Sequence, residues 1–459
     1  MNGAETGTSC RGLWPRSAAF FFACAIAAVA ASAAYAQQEA NQSVGSRQDP
    51  QAQTVGQPSP ATEQAGARAN LERAFKVYLT GLAARAQAQG VPAPVVTAGL
   101  SDIELDDSVL KRLNNQPEFS RPVGDYIAQA VSDTRLATAK TLLSRHAALL
   151  GQLESRFGVD RHVLVAIWGL ESNFGGNLGR RNVVSALATL GFAGERRARF
   201  GETQAIAALR IAAEENRPLA DMIGSWAGAM GQTQFIPTTY LAYAVDGDGD
   251  GTRDVWGSLA DALASAANYL SRSGWRTGAV WGFEVTVPDA FDYADTGRST
   301  RRTWAEWQAG GVTAARKPAP LGQVDPGAGS IILPAGAKGP AFFVARNFRV
   351  ILRYNQATSY ALAIGHLADR AQGGQAFVQP WPADDQPLTR SQRLELQQLL
   401  TDTGLDTGGV DGILGPMSRR AIRAMQARLQ MTPDGYPTPG LLAKLRETSA
   451  GATAATSTE

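Results

Sequence analysis

The spacing of apolar residues constrains the fold of this chain more than any other feature of its sequence. From Leu71 onward these residues recur at intervals typical of amphipathic helices, and Gly and Pro mark the breaks. The predicted helices include residues 71–88, 124–153, 159–174 and 358–371. Between about residues 278 and 343 the pattern changes to short β-prone runs separated by turn residues. Because helical spacing returns after them, we predict a mainly α domain that carries a small β-containing insertion.

The first 36 residues are typical of a secretory signal peptide. Arg11 and Arg16 precede an apolar run over residues 18–34, which is followed by a small-residue cleavage site ending at Ala36. The run is short for a bilayer span, so export is favoured over a retained anchor. We therefore predict a soluble periplasmic protein with no integral membrane segment in its mature chain.

Composition excludes several classes of chemistry. Both cysteines, Cys10 and Cys24, lie in the removed segment, so the mature chain would have no disulfide and no thiol nucleophile. Cys24 lies inside the apolar run and not at its end, which argues against a lipid anchor. The formal net charge of +2 gives no bulk attraction for nucleic acid. The three histidines have no zinc-ligand spacing.

Composition also divides the rest of the chain. Residues 37–69 have few large apolar side chains and are predicted to form a disordered linker. Residues 373–387 carry three prolines and are predicted to form a second linker, which leaves residues 70–372 as the main domain. Residues 388–446 have an apolar pattern typical of three short helices in a compact module. Residues 447–459 are predicted to be a disordered tail.

Glu171 is the strongest catalytic candidate. It lies in an apolar, predicted helical segment that ends at Gly175 and Gly176. Val163 and Ile167 fall at helical spacings from it, so its side chain is expected on the buried face. Burial would raise the pKa of its carboxyl group and let it act as a general acid near neutral pH. The alternative is a structural glutamate that pairs with an arginine or caps a turn.

Residues 224–237 form a second candidate segment, rich in Gly and Ala. Small residues let a ligand approach the backbone closely, and sugars bind to aromatic faces, amides and hydroxyls. The side chains of this kind in the segment are Ser225, Trp226, Gln232, Gln234 and Phe235. Close packing of helices is the alternative explanation for the small residues.

The Glu171 segment, residues 224–240 and the motif Arg353-Tyr354-Asn355 together resemble the membrane-bound lytic transglycosylase B family of peptidoglycan-cleaving enzymes. The resemblance covers about residues 71–371 and implies a lysozyme-like helical catalytic domain in which Glu171 is the single catalytic glutamate. It also implies that substrate is bound by Ser225, Gln234, Tyr354, Asn355, Tyr360, Arg196 and Arg197. For the two arginines, a solvated helix face is the alternative.

The resemblance further implies a reaction without water as nucleophile and without a required cofactor. Glu171 would protonate the β-1,4 glycosidic oxygen between N-acetylmuramic acid and N-acetylglucosamine, and would then take the proton of the muramoyl 6-hydroxyl to form a 1,6-anhydro end. A hydrolytic muramidase that uses the same glutamate is one alternative. A non-catalytic peptidoglycan-binding scaffold is another. The expected partners are glycan strands, with other cell-wall enzymes as candidates.

An acidic loop is the candidate site for a structural calcium ion. Asp246, Asp248 and Asp250 occupy positions 1, 3 and 5 of a calcium-loop pattern with Gly251 at position 6. Position 12, where a bidentate Glu belongs, is Gly257. Closure of the loop would have to come from Asp254, Asp261 or water. The predicted ligands are Asp246, Asp248, Asp250, Thr252 and Asp261, and a metal-free acidic turn is the alternative.

The C-terminal module resembles the three-helix peptidoglycan-binding domain found beside many wall hydrolases. The resemblance rests on residues 409–418 and 421–426, followed by Asp434-Gly435. Ser418 and Met425 stand where Thr and Phe are more usual. A helical spacer without a ligand is the alternative.

Overall fold

The computed structural model describes residues 60–114, 121–195, 197–317 and 324–456, and these residues are mainly helical, as predicted. The predicted signal peptide, the linker up to residue 59 and Arg196 lie outside the described residues. The helices are α1 (Pro60–Ala88), α2 (Ala93–Leu100), α3 (Asp107–Asn114), α4 (Val123–Ala130), α5 (Asp133–Arg145), α6 (Ala147–Phe157), α7 (Arg161–Ser172), α8 (Val183–Ala193), α9 (Ala198–Glu214), α10 (Pro237–Tyr243), α11 (Leu259–Arg272), α12 (Trp304–Ala309), α13 (Arg346–Tyr354), α14 (Thr358–Ala371), α15 (Arg390–Asp402), α16 (Pro416–Arg428) and α17 (Pro439–Thr456). No helix in the described part of the chain has the length and apolar character needed to cross a bilayer.

Six short strands form two antiparallel sheets in the described residues. The strands are β1 (Arg181–Asn182), β2 (Ile223–Gly224), β3 (Gly282–Thr286), β4 (Thr313–Ala314), β5 (Ser330–Ile332) and β6 (Ala341–Val344). β1 pairs with β2, and the other four form one sheet in the order β4-β3-β6-β5. The larger sheet therefore uses the two β-prone runs that the sequence indicated inside the helical domain.

Helix α7 lies at the centre of the larger apolar core. Residues 163–169 of α7 are all buried, and they pack with α11, α13 and α14 around Ile167, Leu263 and Ile364. A second core joins α8 and α9 to α1 and α2 around Leu187 and Leu209. Burial of the apolar side chains of α7 in the first core holds this helix in place.

The insertion has an aromatic core of its own. Phe283, Trp304, Trp307 and Phe343 pack together behind the four-stranded sheet. Helix α12, which supplies the two tryptophans, begins with a capping box in which Thr303 and Glu306 exchange hydrogen bonds. The sheet then leads directly into α13 and returns the chain to the helical domain.

The C-terminal helices α15, α16 and α17 pack around Leu396, Ile422 and Leu441 as the predicted three-helix module. The module contacts the insertion, because the main-chain N–H of Ala337 donates to Asp434 Oδ2 at 2.8 Å.

The predicted linker at residues 373–387 is packed and not free. Phe377 and Trp381 lie against the main core, and the main-chain N–H groups of Val378 and Gln379 donate to the buried carboxylate of Glu284 at 2.6 and 2.7 Å. Aromatic burial and these charge-assisted hydrogen bonds outweigh the turn-forming character of its prolines.

Two predicted disordered segments are partly helical. α1 begins at Pro60 and so includes residues 60–69 of the predicted linker, and α17 continues to Thr456, inside the predicted tail. Both segments are rich in Ala, which has the highest helix propensity, and each extends a helix that tertiary packing already holds.

Candidate active site

Glu171 lies in the last turn of α7 and is partly exposed, whereas residues 163–169 of the same helix are buried. The helix begins at the N-cap Asp160, whose carboxylate accepts a hydrogen bond from the N–H of His162. It ends because Asn173 and Phe174 have left-handed backbones, with φ of 51° and 58°. The glutamate is thus presented at the point where the chain turns away from the core.

Tyr360 is the hydrogen-bond partner of Glu171. Its hydroxyl, carried on α14 and almost fully buried, donates to Glu171 Oε1 at 2.6 Å. Burial raises the pKa of Glu171 to about 7, although the Tyr360 hydrogen bond acts in the opposite direction. In the described part of the chain, no second carboxylate contributes to this shift. Glu171 can therefore hold a proton near neutral pH and release it without a large cost.

Tyr354 and Tyr126 complete a group of phenols around this carboxylate. Burial raises the pKa of all three phenols, and the charge of Glu171 raises each of them further, which places them close to it. The phenols therefore stay protonated and remain hydrogen-bond donors. Tyr126, on α4, was not predicted from the sequence, because no local motif distinguishes it within a helical pattern.

The end of α7 is tied to the loop at residues 231–235. Ser172 Oγ donates to the carbonyl of Gln232 at 2.6 Å and accepts from the N–H of Gly175 at 2.9 Å. Tyr354 Oη, at the end of α13, donates to the carbonyl of Thr233 at 2.6 Å. Gly231 has φ of +70°, and a Cβ atom there would lie 2.6 Å from the carbonyl oxygen of Val255. The loop is thereby fixed against both α7 and α13.

The other predicted substrate-binding residues lie around this loop. Ser225 Oγ accepts hydrogen bonds from the N–H groups of Ala227 and Ala229 and shapes the turn after β2. Gln234 is partly exposed with φ of 51°, and its amide donates to the carbonyl of Gly231 at 2.9 Å.

Two further predicted residues lie at helix ends. Asn355 ends α13 and accepts a hydrogen bond from Ala357. Arg197 lies before α9 with its guanidinium 5.7 Å from the ring centre of Trp226, and burial lowers its pKa. Arg197 therefore does not lie on a fully solvated helix face.

The acidic loop brings three of its predicted ligands together. The carboxylates of Asp246, Asp248 and Asp250 each offer an oxygen, and these oxygens lie within 4.8 Å of one another. The hydroxyl of Thr252 donates to Asp250 at 2.8 Å, and Gly251 has φ of +91°. Three converging carboxylates suit a hard divalent cation such as Ca²⁺.

Asp261 does not join this group. It is fully buried, and its two carboxylate oxygens accept hydrogen bonds from the N–H groups of Gly247 and Asp254, at 2.7 and 2.6 Å. Its place in the first turn of α11 directs the side chain to the base of the loop. In this structure Asp261 therefore supports the loop backbone instead of serving as the predicted cation ligand.

Comparison with known proteins identifies the family of this chain. The family model described as a transglycosylase SLT domain matches residues 74–369, and a peptidoglycan-binding domain model matches residues 389–445. The chain belongs to the transglycosylase SLT domain family. Membrane-bound lytic murein transglycosylase B of Escherichia coli is 30% identical over 279 residues, which cover 58% of this chain and 75% of that protein.

Solved structures are also similar to this transglycosylase. SltB3 from Pseudomonas aeruginosa, in complex with NAG-anhNAM-pentapeptide, is 48% identical with a TM-score of 0.78, and the match covers 81% of this chain and 99% of that one. The Escherichia coli lytic transglycosylase Slt35, in complex with calcium, is 26% identical with a TM-score of 0.55, over 66% of this chain and 93% of that one. The lysozyme-like helical fold predicted from the sequence is confirmed.

Proposed function

We propose that this transglycosylase is a lytic murein transglycosylase that cleaves the β-1,4 bond between N-acetylmuramic acid and N-acetylglucosamine and leaves 1,6-anhydro-N-acetylmuramic acid ends. The observation that carries the proposal is the environment of Glu171: one carboxyl group with a pKa of about 7, held by a tyrosine, with no second carboxylate influencing it in the described chain. A glycosidase that uses two carboxylates would need a second one about 5–10 Å away.

In the first step Glu171 acts as the acid. Because the Tyr360 hydroxyl donates to Oε1, the proton of the neutral carboxyl group is carried on Oε2, which is free to face the glycosidic oxygen. Transfer of that proton breaks the bond between the anomeric carbon and the leaving N-acetylglucosamine. The carbonyl oxygen of the muramoyl N-acetyl group stabilises the anomeric carbon.

In the second step the same residue acts as the base. Glu171, now ionised and still hydrogen-bonded to Tyr360, accepts the proton of the muramoyl 6-hydroxyl, and that oxygen bonds to the anomeric carbon. The Glu171 carboxyl group is regenerated in its protonated form. A pKa of about 7 suits both roles, since neither protonation state is strongly disfavoured at neutral pH.

We assign substrate binding to the residues that surround this carboxyl group. Ser225, Gln234 and Asn355 supply polar atoms beside the loop, Tyr354 supports it, and Arg197 over Trp226 offers a charged and aromatic surface. Arg196 is assigned with them on the family resemblance alone.

The experiment that tests the proposed reaction is product analysis. Purified enzyme is incubated with isolated sacculi, and the soluble fragments are identified by mass spectrometry. Anhydro ends, lighter than reducing ends by one water, are expected on nearly all new termini. Reducing ends as the main product would mean that water is the acceptor and that the enzyme is a hydrolytic muramidase.

We also propose that Asp246, Asp248 and Asp250 bind a structural calcium ion, as the calcium complex of Slt35 suggests for a relative. Burial and hydrogen bonding of Asp261 support the loop without adding a ligand. Calorimetric titration of chelator-treated protein with Ca²⁺ should give one site, which Asp248→Asn weakens. No heat of binding at millimolar Ca²⁺ would remove the metal from the proposal.

Residues 388–446 are proposed as the wall-binding module, and the periplasm as the location. The matched domain model over residues 389–445 supports the first, and the signal-peptide pattern supports the second. Sedimentation with sacculi tests the binding, and N-terminal sequencing of the mature protein should begin at Gln37.

A further inference from the structure

Gln232 is a residue of the 231–235 loop that the proposed mechanism does not use. It belongs to the same Gly- and Ala-rich segment as Gln234, which is partly exposed and is assigned to substrate. Gln232 is only 8% exposed, so its amide is available to protein groups and not to the substrate. A buried amide of this kind fixes the groups with which it forms hydrogen bonds.

The backbone of Gln232 joins the end of α7 to the end of the acidic loop, residues 246–257. Its carbonyl accepts the hydrogen bond from Ser172 Oγ at 2.6 Å, and Ser172 directly follows Glu171. Its N–H donates to the carbonyl of Val255 at 2.9 Å. One residue is therefore bonded both to the helix that carries the catalytic carboxyl group and to the acidic loop.

The side chain of Gln232 forms a second connection between the same two parts. Its Nε2 donates to the carbonyl of Trp256 at 3.2 Å. Its Oε1 lies against Gly175, where a Cβ atom would be only 2.9 Å away, so glycine leaves room for the amide. Trp256 is itself anchored, because its indole N–H donates to the carbonyl of Ile223 at 2.7 Å. The amide thus fills the space between the turn after Glu171 and a fixed segment of the acidic loop.

The geometry of the acidic loop depends on what neutralises its carboxylates. Oxygens of Asp246, Asp248 and Asp250 lie within 4.8 Å of one another, and like charges at this separation repel. A divalent cation replaces this repulsion with attraction of all three to one centre. Cation binding therefore favours the compact arrangement of the loop over more open ones.

Hydrogen bonds connect the two halves of the acidic loop. Asp261 accepts from the N–H of Gly247 in the first half and from that of Asp254 in the second, at 2.7 and 2.6 Å. Asp254 accepts in turn from the N–H of Trp256 at 3.1 Å. A shift of the three carboxylates is therefore passed to the segment that Gln232 contacts.

We infer that Gln232 is a positioning residue for the reaction, which carries the effect of a cation in the acidic loop to Glu171. With the cation bound, the carbonyl of Trp256 and the amide of Gln232 keep the end of α7 in place. When a chelator removes the cation, the loop loosens and the carboxyl group of Glu171 loses its orientation. The inference rests on the proposed function, because it takes the reaction and the calcium site from it. It assigns to Gln232 an effect on kcat and not on KM, since its side chain does not reach the substrate.

The first test is hydrogen–deuterium exchange of the wild-type enzyme, with calcium and with a chelator. Calcium should slow exchange in the acidic loop and also at residues 172–176 and 231–235, by about fivefold or more, the lower end of ordinary coupling between sites. This measurement needs neither a variant nor activity. Protection confined to the acidic loop would overturn the inference.

The second test removes the amide. Gln232→Met keeps the length of the side chain and leaves the backbone hydrogen bonds of residue 232 in place. Calcium should raise kcat of wild type about fivefold over that of chelated enzyme, at unchanged KM, and should raise kcat of the variant less than about twofold. Calorimetry should still detect calcium binding to the variant, since Gln232 supplies no ligand. In the exchange experiment, calcium should protect the acidic loop of the variant but no longer residues 172–176.

Gln204→Met is the matched control. Gln204 is also buried, and its amide joins α9 to α10 through two hydrogen bonds with Thr238, at 2.9 and 3.0 Å. Both variants should lose unfolding free energy to a similar extent in urea, because each loses one buried amide. Only Gln232→Met should lose the calcium response, and an equal loss in both would overturn the specific role of Gln232.

The outcomes separate the inference from the proposed function. Anhydro products and calcium binding, with the same calcium response of kcat in wild type and Gln232→Met, would overturn the role of Gln232 and leave the reaction and the metal intact. Reducing ends, with the calcium response lost only in Gln232→Met, would overturn the reaction and keep the coupling. No heat of calcium binding to wild type would remove the metal and the coupling together, whatever the products.

Discussion

Two carboxyl groups of this protein have nearly the same electrostatics and different surroundings. Burial raises the pKa of both Glu171 and Asp369 to about 7. Each accepts one hydrogen bond from an aromatic side chain, from Tyr360 at 2.6 Å and from the indole of Trp281 at 3.0 Å. A raised pKa by itself therefore does not identify a catalytic acid.

The difference lies in what each group can reach. Asp369 lies near the end of α14, where its titratable neighbours are Asp160 and His162, and its hydrogen bond joins that helix to Trp281 of the core. Glu171 lies at the end of α7, among three tyrosines and beside the loop at residues 231–235. We therefore assign the catalytic role to Glu171, at a helix end beside this loop, and a structural role to Asp369, which is tied to Trp281.

The largest expected effect comes from neutralising each carboxyl group in turn. Glu171→Gln should lower kcat by about a thousandfold or more, because acid and base are lost together, while binding to sacculi is retained. Asp369→Asn, which is the matched change, should keep most of the activity. Release of muropeptides from labelled sacculi measures both. Comparable losses in the two variants would show that the pKa, and not the position, decides.

A smaller effect is expected from the hydrogen bond to Glu171. Tyr360→Phe removes a bond that favours the ionised form, so the pKa of Glu171 should rise above 7 and the alkaline limb of the pH profile of kcat should move to higher pH. Loss of orientation should also reduce kcat about tenfold at neutral pH. Asp369→Asn supplies the control profile with an unshifted limb. An alkaline limb that stays in place, or moves to lower pH, contradicts the assigned partner.

The hydrogen bonds of Ser172, next to Glu171, should affect mainly the unfolding free energy. Ser172→Ala leaves the carbonyl of Gln232 and the N–H of Gly175 without this partner, which should cost about 1–3 kcal/mol of unfolding free energy. The loop at residues 231–235 should loosen, and kcat should fall several times less than in Tyr360→Phe. Urea unfolding measures the unfolding free energy. Ser155→Ala, at an exposed serine of α6, is the matched change and should have little effect on either.

The helices that carry the two carboxyl groups are predictable from the sequence. The apolar stripe around Ile167 indicates a buried helix, and the glycines after Phe174 indicate its end, so Glu171 emerges as a carboxyl group at a boundary. The helical spacing at residues 358–371 indicates α14, whereas α13, which begins at Arg346, is not among the predicted helices. Both predictions depend only on periodicity and turn chemistry, which neighbouring residues determine.

Contacts between distant segments are not predictable in this way. Tyr126 lies in an ordinary helical pattern, and only the packing of α4 against α14 brings it to the site. The prolines in residues 373–387 indicate a linker but not what it contacts, and Glu284, nearly a hundred residues earlier, accepts hydrogen bonds from the backbone N–H groups just before Pro380. Asp261 fits a ligand spacing, but the start of α11 turns it towards the loop backbone.

The last expected effect is a pH dependence of stability that the two carboxyl groups share. Their pKa values in the folded protein are about 7, above the unfolded values of 4.5 for Glu171 and 3.8 for Asp369, so the folded state binds more protons between these limits. Their contribution to stability is therefore complete below about pH 4 and is lost as pH rises through 7. Asp369→Asn and Glu171→Gln should each gain unfolding free energy relative to wild type between pH 5 and pH 8, measured by urea unfolding. If the unfolding free energy of the variants follows pH in parallel with wild type, burial does not raise these pKa values. Similar gains in unfolding free energy in both variants, with activity lost only in Glu171→Gln, would show that the raised pKa and the catalytic role are separate properties.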